Sequence, residues 1–188
     1  SIIHASNEIG TIQPIKEIGA IIKSANYKLK TKIYFHTDAV QSLGKIPIDV
    51  NKMNIDLLTA SSHKMYGPKG AACLFVREGV KIEPILHGGG QEDGLRSSTV
   101  NLPAIVGFAK ACEIAKKEMG EEAQRLTELK DNLIAKVLKI PNSHLIGPSL
   151  EFRASSSKKR LPNIVNFWFS FVEGESLVIQ LDLKGMAV

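Results

Sequence analysis

The sequence predicts an α/β fold. Its larger part, residues 1–118, reads as a mostly parallel sheet flanked by helices, and residues 119–188 as the start of a smaller α+β C-terminal domain. Three observations support this. Short apolar β-type runs alternate with helical ones in the first half, and such alternation marks a parallel α/β layer. A long amphipathic pattern then runs from about Pro103 to Lys139. After it come a stretch rich in breakers, one strand and one helix.

Taken in order, Ile2-Ile3-His4 is the first strand candidate. Pro14 then opens a helix, a position where its missing N–H costs nothing. Ile15, Ile18, Ile21, Ile22 and Ala25 recur at helical spacing and are expected on one face. Ile33-Tyr34-Phe35-His36, Leu57-Leu58-Thr59-Ala60 and Cys73-Leu74-Phe75-Val76 are the next three strands. The long helix is expected to break or bend near Gly120, and the domain boundary falls inside it, near residue 119. Residues 140–163 carry Pro141, Gly147, Pro148 and Pro162 and read as irregular. A strand over Ile164–Phe169 and a helix over Glu175–Leu183 close the pattern.

Composition narrows the classes. The chain has 188 residues, 44% apolar and 23% charged, ordinary values for a folded domain with a real core. A formal charge of +5 is spread among acidic residues and carries no functional weight. The densest basic run, Lys158-Lys159-Arg160 after three serines, reads as a solvated loop, so no nucleic-acid partner is expected. No run approaches the roughly eighteen apolar residues of a membrane helix. Cys73 and Cys112 lack any metal or CxxC spacing and are expected to be small core residues in a reducing compartment. The chain opens on Ser1 in mid-strand and its last residues, Gly185-Met186-Ala187-Val188, stop just as a further strand would begin, as an internal piece of a longer protein would.

The sharpest local feature is Ser61-Ser62-His63-Lys64-Met65-Tyr66-Gly67-Pro68-Lys69-Gly70, directly after a strand. Hydroxyls, an imidazole and loop amides can hold a phosphate, and Lys64 sets an amine beside them. Gly67-Pro68 and Gly70 make a tight turn that confines that lysine. An amine that forms a Schiff base needs such confinement. The plain alternative is a surface loop with a lysine. Phe35-His36-Thr37-Asp38-Ala39-Val40-Gln41 puts an acid at another strand end, one crossover and one strand upstream of Lys64. Such an acid could keep a pyridine nitrogen protonated; the competing role for Asp38 is a helix N-cap. His36 reads as an ordinary, partly buried histidine. Asn7 follows the first strand and either donates to a ring oxygen or forms a turn.

These segments, with His4-Ala5-Ser6-Asn7-Glu8-Ile9-Gly10, His87-Gly88-Gly89-Gly90-Gln91-Glu92-Asp93-Gly94-Leu95-Arg96-Ser97-Ser98-Thr99 and Val172-Glu173-Gly174-Glu175-Ser176-Leu177, resemble the cysteine desulfurases of the NifS/IscS type, in order and spacing. The resemblance runs nearly end to end. It implies the fold-type-I architecture of pyridoxal 5'-phosphate enzymes, with Lys64 as the lysine that carries the cofactor and Asp38 as partner of its pyridine nitrogen. Gln41 and Asn7 would bond the phenolic oxygen, and Ser61 and His63 the phosphate. Thr99 would reach the phosphate in a neighbouring subunit, which implies a homodimer with shared active sites. The implied reaction removes sulfur from L-cysteine, leaving alanine and a protein persulfide. That persulfide would serve iron–sulfur cluster assembly or thio-modification through an acceptor or scaffold protein, in the cytoplasm unless an upstream leader directs otherwise.

Two departures are mild: Ser62 stands where the family has Gly, and Ser6-Asn7 where it usually has Asn-Asn. More important, the family's persulfide-forming cysteine lies on a loop just beyond the counterpart of Leu183–Val188, and neither Cys73 nor Cys112 matches it. The substrate-binding arginine would lie further downstream; the phosphate-binding turn and the stacking histidine would precede Ser1. Other readings are another class V enzyme, such as a selenocysteine lyase or an aminotransferase, and a catalytically incompetent dimerisation or scaffold fragment.

Overall fold

The computed structural model describes residues 1–148 and 159–188. Of the basic run and its serines, Ser155 to Lys158 lie outside the described residues. Chain contacts gather into two compact units, Ser1–Ala5 with Gln13–Gly120, and Ser6–Ile12 with Glu121–Val188.

In the first unit β1 (Ile2–Ile3), β2 (His36–Asp38), β3 (Leu57–Ser61) and β4 (Ala72–Val76) form one sheet in that order. β1, β2 and β3 run parallel, with Ile3 opposite Asp38 and Asp38 opposite Thr59. β4 returns antiparallel, Ala72 opposite Ser61. The sheet is thus mostly parallel, as the alternating pattern predicts. Parallel neighbours need crossovers. The first contains α1 (Ile15–Asn26), and the second, residues 39–56, is built from turns.

β2 begins later than the apolar run suggests, for a local reason. The Asn26 amide takes both backbone groups of Ile33, each at 2.8 Å. Phe35 donates its N–H to the Asp56 carboxylate at 2.9 Å, and its carbonyl accepts from Asp56 and Leu57. With those groups occupied, the ladder to β3 starts at His36 opposite Leu57. On α1, Ile15 and Gly19 are buried, with Ile18 and Ile22 packed on the same core. Ile21 departs from the expected face and is 68% exposed. At ~100° per residue it lies about 120° from Ile15, off the apolar stripe.

Leu58 and Ala60 of β3 point into a core that also holds Ile15, Phe35, Ala39, Ile55 and Met65, and Ala104, Phe108 and Ala111 of α2 (Leu102–Val137). α2 continues through Gly120 without the expected break. A helical glycine costs only about 1 kcal/mol against alanine. Strong helix formers flank it, and Glu122 pairs with Arg125 one turn later at 2.7 Å. Cys73 also departs from expectation: it is exposed. β4 ends the strand order and has β3 as its one strand neighbour, so its apolar run does not imply burial.

In the second unit β5 (Ser143–Ile146) and β6 (Asn166–Phe169) pair antiparallel, and α3 (Gly174–Asp182) follows. β5 falls where the breakers suggest irregular chain; it is four residues long and exists through its pairing with β6. Arg160 is not solvated. It is 3% exposed, and its guanidinium donates to the carbonyls of Ile9 at 2.8 Å, Ile146 at 2.7 Å and Pro148 at 2.9 Å. Those bonds, with the Thr11–Arg160 bridge, fasten Ser6–Ile12 to this unit. Among the described residues no helix is long and apolar enough to cross a membrane.

Candidate cofactor site

The carboxyl ends of three parallel strands converge on one edge of the first unit, the place where open α/β sheets present their ligand-binding loops. Asp38 is the last residue of β2 and Ser61 the last of β3. The 3-10 turn Ser62–Met65, which carries His63 and Lys64, follows Ser61 without a break.

Backbone bonds close the Lys64 turn. Ser62 donates to the Ala71 carbonyl at 3.1 Å, and Gly67 donates to Ser62 at 3.1 Å. Tyr66 ends the turn in the left-handed region at φ 63°, rare for a bulky side chain and an instance of backbone strain two residues from Lys64. Gly70 has φ 84°, which favours glycine, while Gly67 lies so close to the Ser62 hydroxyl that a Cβ there would collide with it. Ser62 is fully buried, and its Oγ has no hydrogen-bond partner among the described residues. Lys64 itself is exposed, and among the described residues its amine forms no hydrogen bond or ion pair. Confinement of the backbone with release of the amine suits a lysine that must join a carbonyl group.

Asp38 is half-buried, and its Oδ1 accepts the Val40 N–H at 2.9 Å. It therefore does cap a turn, and its second oxygen is left without a hydrogen-bond partner among the described residues. A further histidine stands behind it. His4 is buried and its Nδ1 lies 3.0 Å from the Ser42 hydroxyl; its backbone N–H donates to the Asp38 carbonyl at 2.8 Å. Burial holds the His4 imidazole below its ordinary value, so it stands as a neutral support of the Asp38 turn. Burial also lowers His36, with the Asp38 carboxylate pulling the other way, as expected for two side chains on one face of β2.

Ser61 Oγ and His63 Nδ1 lie 2.9 Å apart, a pair of polar groups at the mouth of the Lys64 turn. Gln41 is half-buried in the turn after β2, and Lys45 links it to the Lys64 turn. Asp38, Gln41, Ser61, His63 and Lys64 are thus assembled at one sheet edge. Thr99 is exposed on the irregular segment before α2 and shares no hydrogen bond with them among the described residues. Asn7 belongs to the other unit, in the turn that Gly10 closes onto Ser6 at 3.1 Å. Sequence reasoning missed two groups, His4 and Lys45. The first is legible only once its burial is known, and a lysine seven residues past a strand end looks like ordinary surface.

An acid with a spare oxygen, a free amine on a closed turn, and a serine–histidine pair fit the ring nitrogen, the aldehyde and the phosphate of pyridoxal phosphate respectively. Comparison with known proteins places the chain in a family. The chain matches the aminotransferase class-V family over residues 1–188, and it belongs to that family. It is 53% identical to cysteine desulfurase IscS 1 of Archaeoglobus fulgidus over 99% of this chain and 45% of that protein. Among solved structures it superposes on a NifS-like protein with TM-score 0.89 at 39% identity, covering 99% of this chain and 47% of that one. It superposes on SspA, solved in complex with cysteine, with TM-score 0.68 at 34% identity, covering 97% and 46%. The chain therefore spans about half the length of the relatives it matches, and its α/β unit has the fold-type-I architecture.

Proposed function

We propose that this chain supplies most of the cofactor-binding part of a pyridoxal-phosphate cysteine desulfurase. The observation that carries the reading is the Lys64 amine, held on a closed turn at the same sheet edge as Asp38. Bound pyridoxal phosphate supplies the electron sink that lets bonds at the substrate's α-carbon and side chain be remade. Lys64 would hold the cofactor through its amine. The free oxygen of Asp38 would keep a proton on the ring nitrogen by a charge-assisted bond. Ser61 and His63 would give up their mutual bond to receive the phosphate, and Gln41 and Asn7 would donate to the phenolic oxygen. Exposed Thr99 is free to serve the site of a second copy, which makes a homodimer with shared sites part of the proposal.

L-cysteine as substrate is supported by the desulfurase names of the relatives and by the cysteine complex of SspA. The products would be alanine and a persulfide passed to an acceptor or scaffold protein for iron–sulfur assembly or thio-modification, in the cytoplasm. The test uses a full-length desulfurase with this chain grafted in place of its own segment and loaded with pyridoxal phosphate. Borohydride reduction and peptide mapping place the pyridoxyl group on Lys64. Finding it on Lys69 overturns the assignment. With a thiol reductant added to release sulfide from the persulfide, sulfide and alanine formed in equal amounts from L-cysteine support the reaction, and transamination without sulfide release excludes it.

A further inference from the structure

Lys45 lies outside every motif quoted above, yet its ammonium sits behind the Lys64 turn. Its Nζ donates to the Lys64 carbonyl at 2.9 Å and to the Gln41 carbonyl at 3.2 Å. The second bond is local and is what any lysine one helical turn downstream could make. The first is different: it spans 19 residues and ties the turn after β2 to the turn after β3. Lys45 is half-buried, and burial, followed by the charge of Lys64, holds its ammonium below the ordinary lysine value. A cation kept partly out of water and near a second cation needs offsetting contacts, and two carbonyl oxygens supply them here. Gly44, at φ 75° and pressed against Met65 and Ala115, directs the chain at the residue before. The pose of Lys45 is therefore set by the fold as well as by its own side chain.

We propose that Lys45 is a positioning residue for the cofactor lysine: its ammonium clamps the Lys64 backbone to the Gln41 turn, fixing the amine relative to the groups that face the cofactor ring. The proposal rests on the reading of Lys64 as the cofactor lysine. The Lys64 side chain has four rotatable bonds, so its amine can be placed only as well as its backbone is held. A functional group must be kept within about 0.5 Å of its working position. The 3-10 turn is short, and Lys64 is exposed on it. A tether from a neighbouring turn is the kind of support such a residue needs.

The experiment uses the grafted full-length desulfurase with Lys45→Met, Lys45→Arg and Lys64→Ala, each compared with the unmutated graft. Three quantities are read: the affinity for added pyridoxal phosphate, the fraction of pyridoxyl adduct trapped on residue 64 by borohydride, and the urea midpoint of the cofactor-free protein. Lys45→Met is expected to weaken cofactor affinity about tenfold, because an unclamped backbone leaves the Lys64 amine misplaced for the cofactor. It should lower the trapped fraction while leaving the cofactor-free midpoint in place. Lys45→Arg, which keeps a charged donor, is expected to recover most of both. Unchanged affinity in Lys45→Met overturns the proposal. So does a loss matched by an equal loss of cofactor-free stability, since that is what a purely structural lysine would give. A borohydride adduct that persists in Lys64→Ala would instead sink the reading of Lys64 and leave its mark separately.

Discussion

Replacing Asp38 by asparagine separates the turn contact its carboxylate makes from the cofactor role proposed for it. Oδ1 accepts the Val40 N–H at 2.9 Å and so fixes the turn at the end of β2. Asparagine has the same shape and keeps an oxygen there, so Asp38→Asn should change cofactor-free stability by less than about 0.5 kcal/mol. In the proposed site the second oxygen is the one that would face the ring nitrogen. Asparagine can still hydrogen-bond at that point, but it brings no charge to hold a proton on the ring. Hydrogen bonds to charged groups are worth about 1.5 to 3 kcal/mol against about 1 for neutral ones. The difference, roughly 0.5 to 2 kcal/mol, predicts cofactor affinity weaker by about 2- to 30-fold.

Turnover of the loaded enzyme should fall further, at least tenfold, because an unprotonated ring is a poor electron acceptor throughout the reaction. Asp38→Ala provides the control. It loses both bonds, so it should also lower stability by about 1 kcal/mol, the cost of an emptied cap. The assays are urea unfolding of cofactor-free protein, titration with pyridoxal phosphate, and sulfide release from L-cysteine, all in the grafted full-length context. An Asn variant that turns over at the unmutated rate would show that Asp38 is a turn residue and nothing more. The reasoning about the ring nitrogen would then be wrong.

Gly67→Ala should destabilise by about 1 to 3 kcal/mol, since its Cβ meets the buried Ser62 hydroxyl. Adding Ser62→Gly should restore most of the loss, and a urea cycle showing simple additivity would refute that contact. The buried His4 has its pKa lowered from 6.5, so its contribution to stability is fully present above that pH. Below it the unfolded chain binds a proton that the folded one resists, and stability should fall with pH until the folded value is passed. His4→Gln should flatten the fall of the urea stability profile as pH drops below 6.5, and an unchanged slope there would refute the assignment. Cys73 is exposed while Cys112 is half-buried, and both thiols are pushed up, Cys73 by burial of its sulfur and then by Cys112. Iodoacetamide should therefore label Cys73 first and slowly at neutral pH, and Cys73→Ser or Cys112→Ser should leave sulfide release unchanged; turnover lost in either variant would place the sulfur nucleophile on a strand or helix of this chain.

How much of this could be read from the sequence depended on whether the deciding interaction was local. The Lys64 turn was legible because its parts are adjacent: a strand of alternating burial, Leu57–Ser61, runs straight into Ser62–Met65, and glycines close the loop. Asp38 was legible as a strand-end acid because any polar residue directly after a strand of a parallel sheet faces the same edge. Where a distant partner decided the outcome, the pattern misled. Nothing near Ile33 shows that Asn26 will take its backbone groups, nor near Phe35 that Asp56 will, so β2 was placed too early. β5 depends on a strand more than twenty residues away in the chain, and Arg160 is buried by carbonyls from Ile9 and from the β5 end. Lys45 belongs to this second group, since its bond to Lys64 crosses between two strand ends. A lysine in a turn gives no sign of which carbonyl it will find, because the side chain is long and the choice is made by the fold around it. Each candidate group was therefore legible from its place at the end of its own strand, while the contacts that hold these groups in place came from distant parts of the chain.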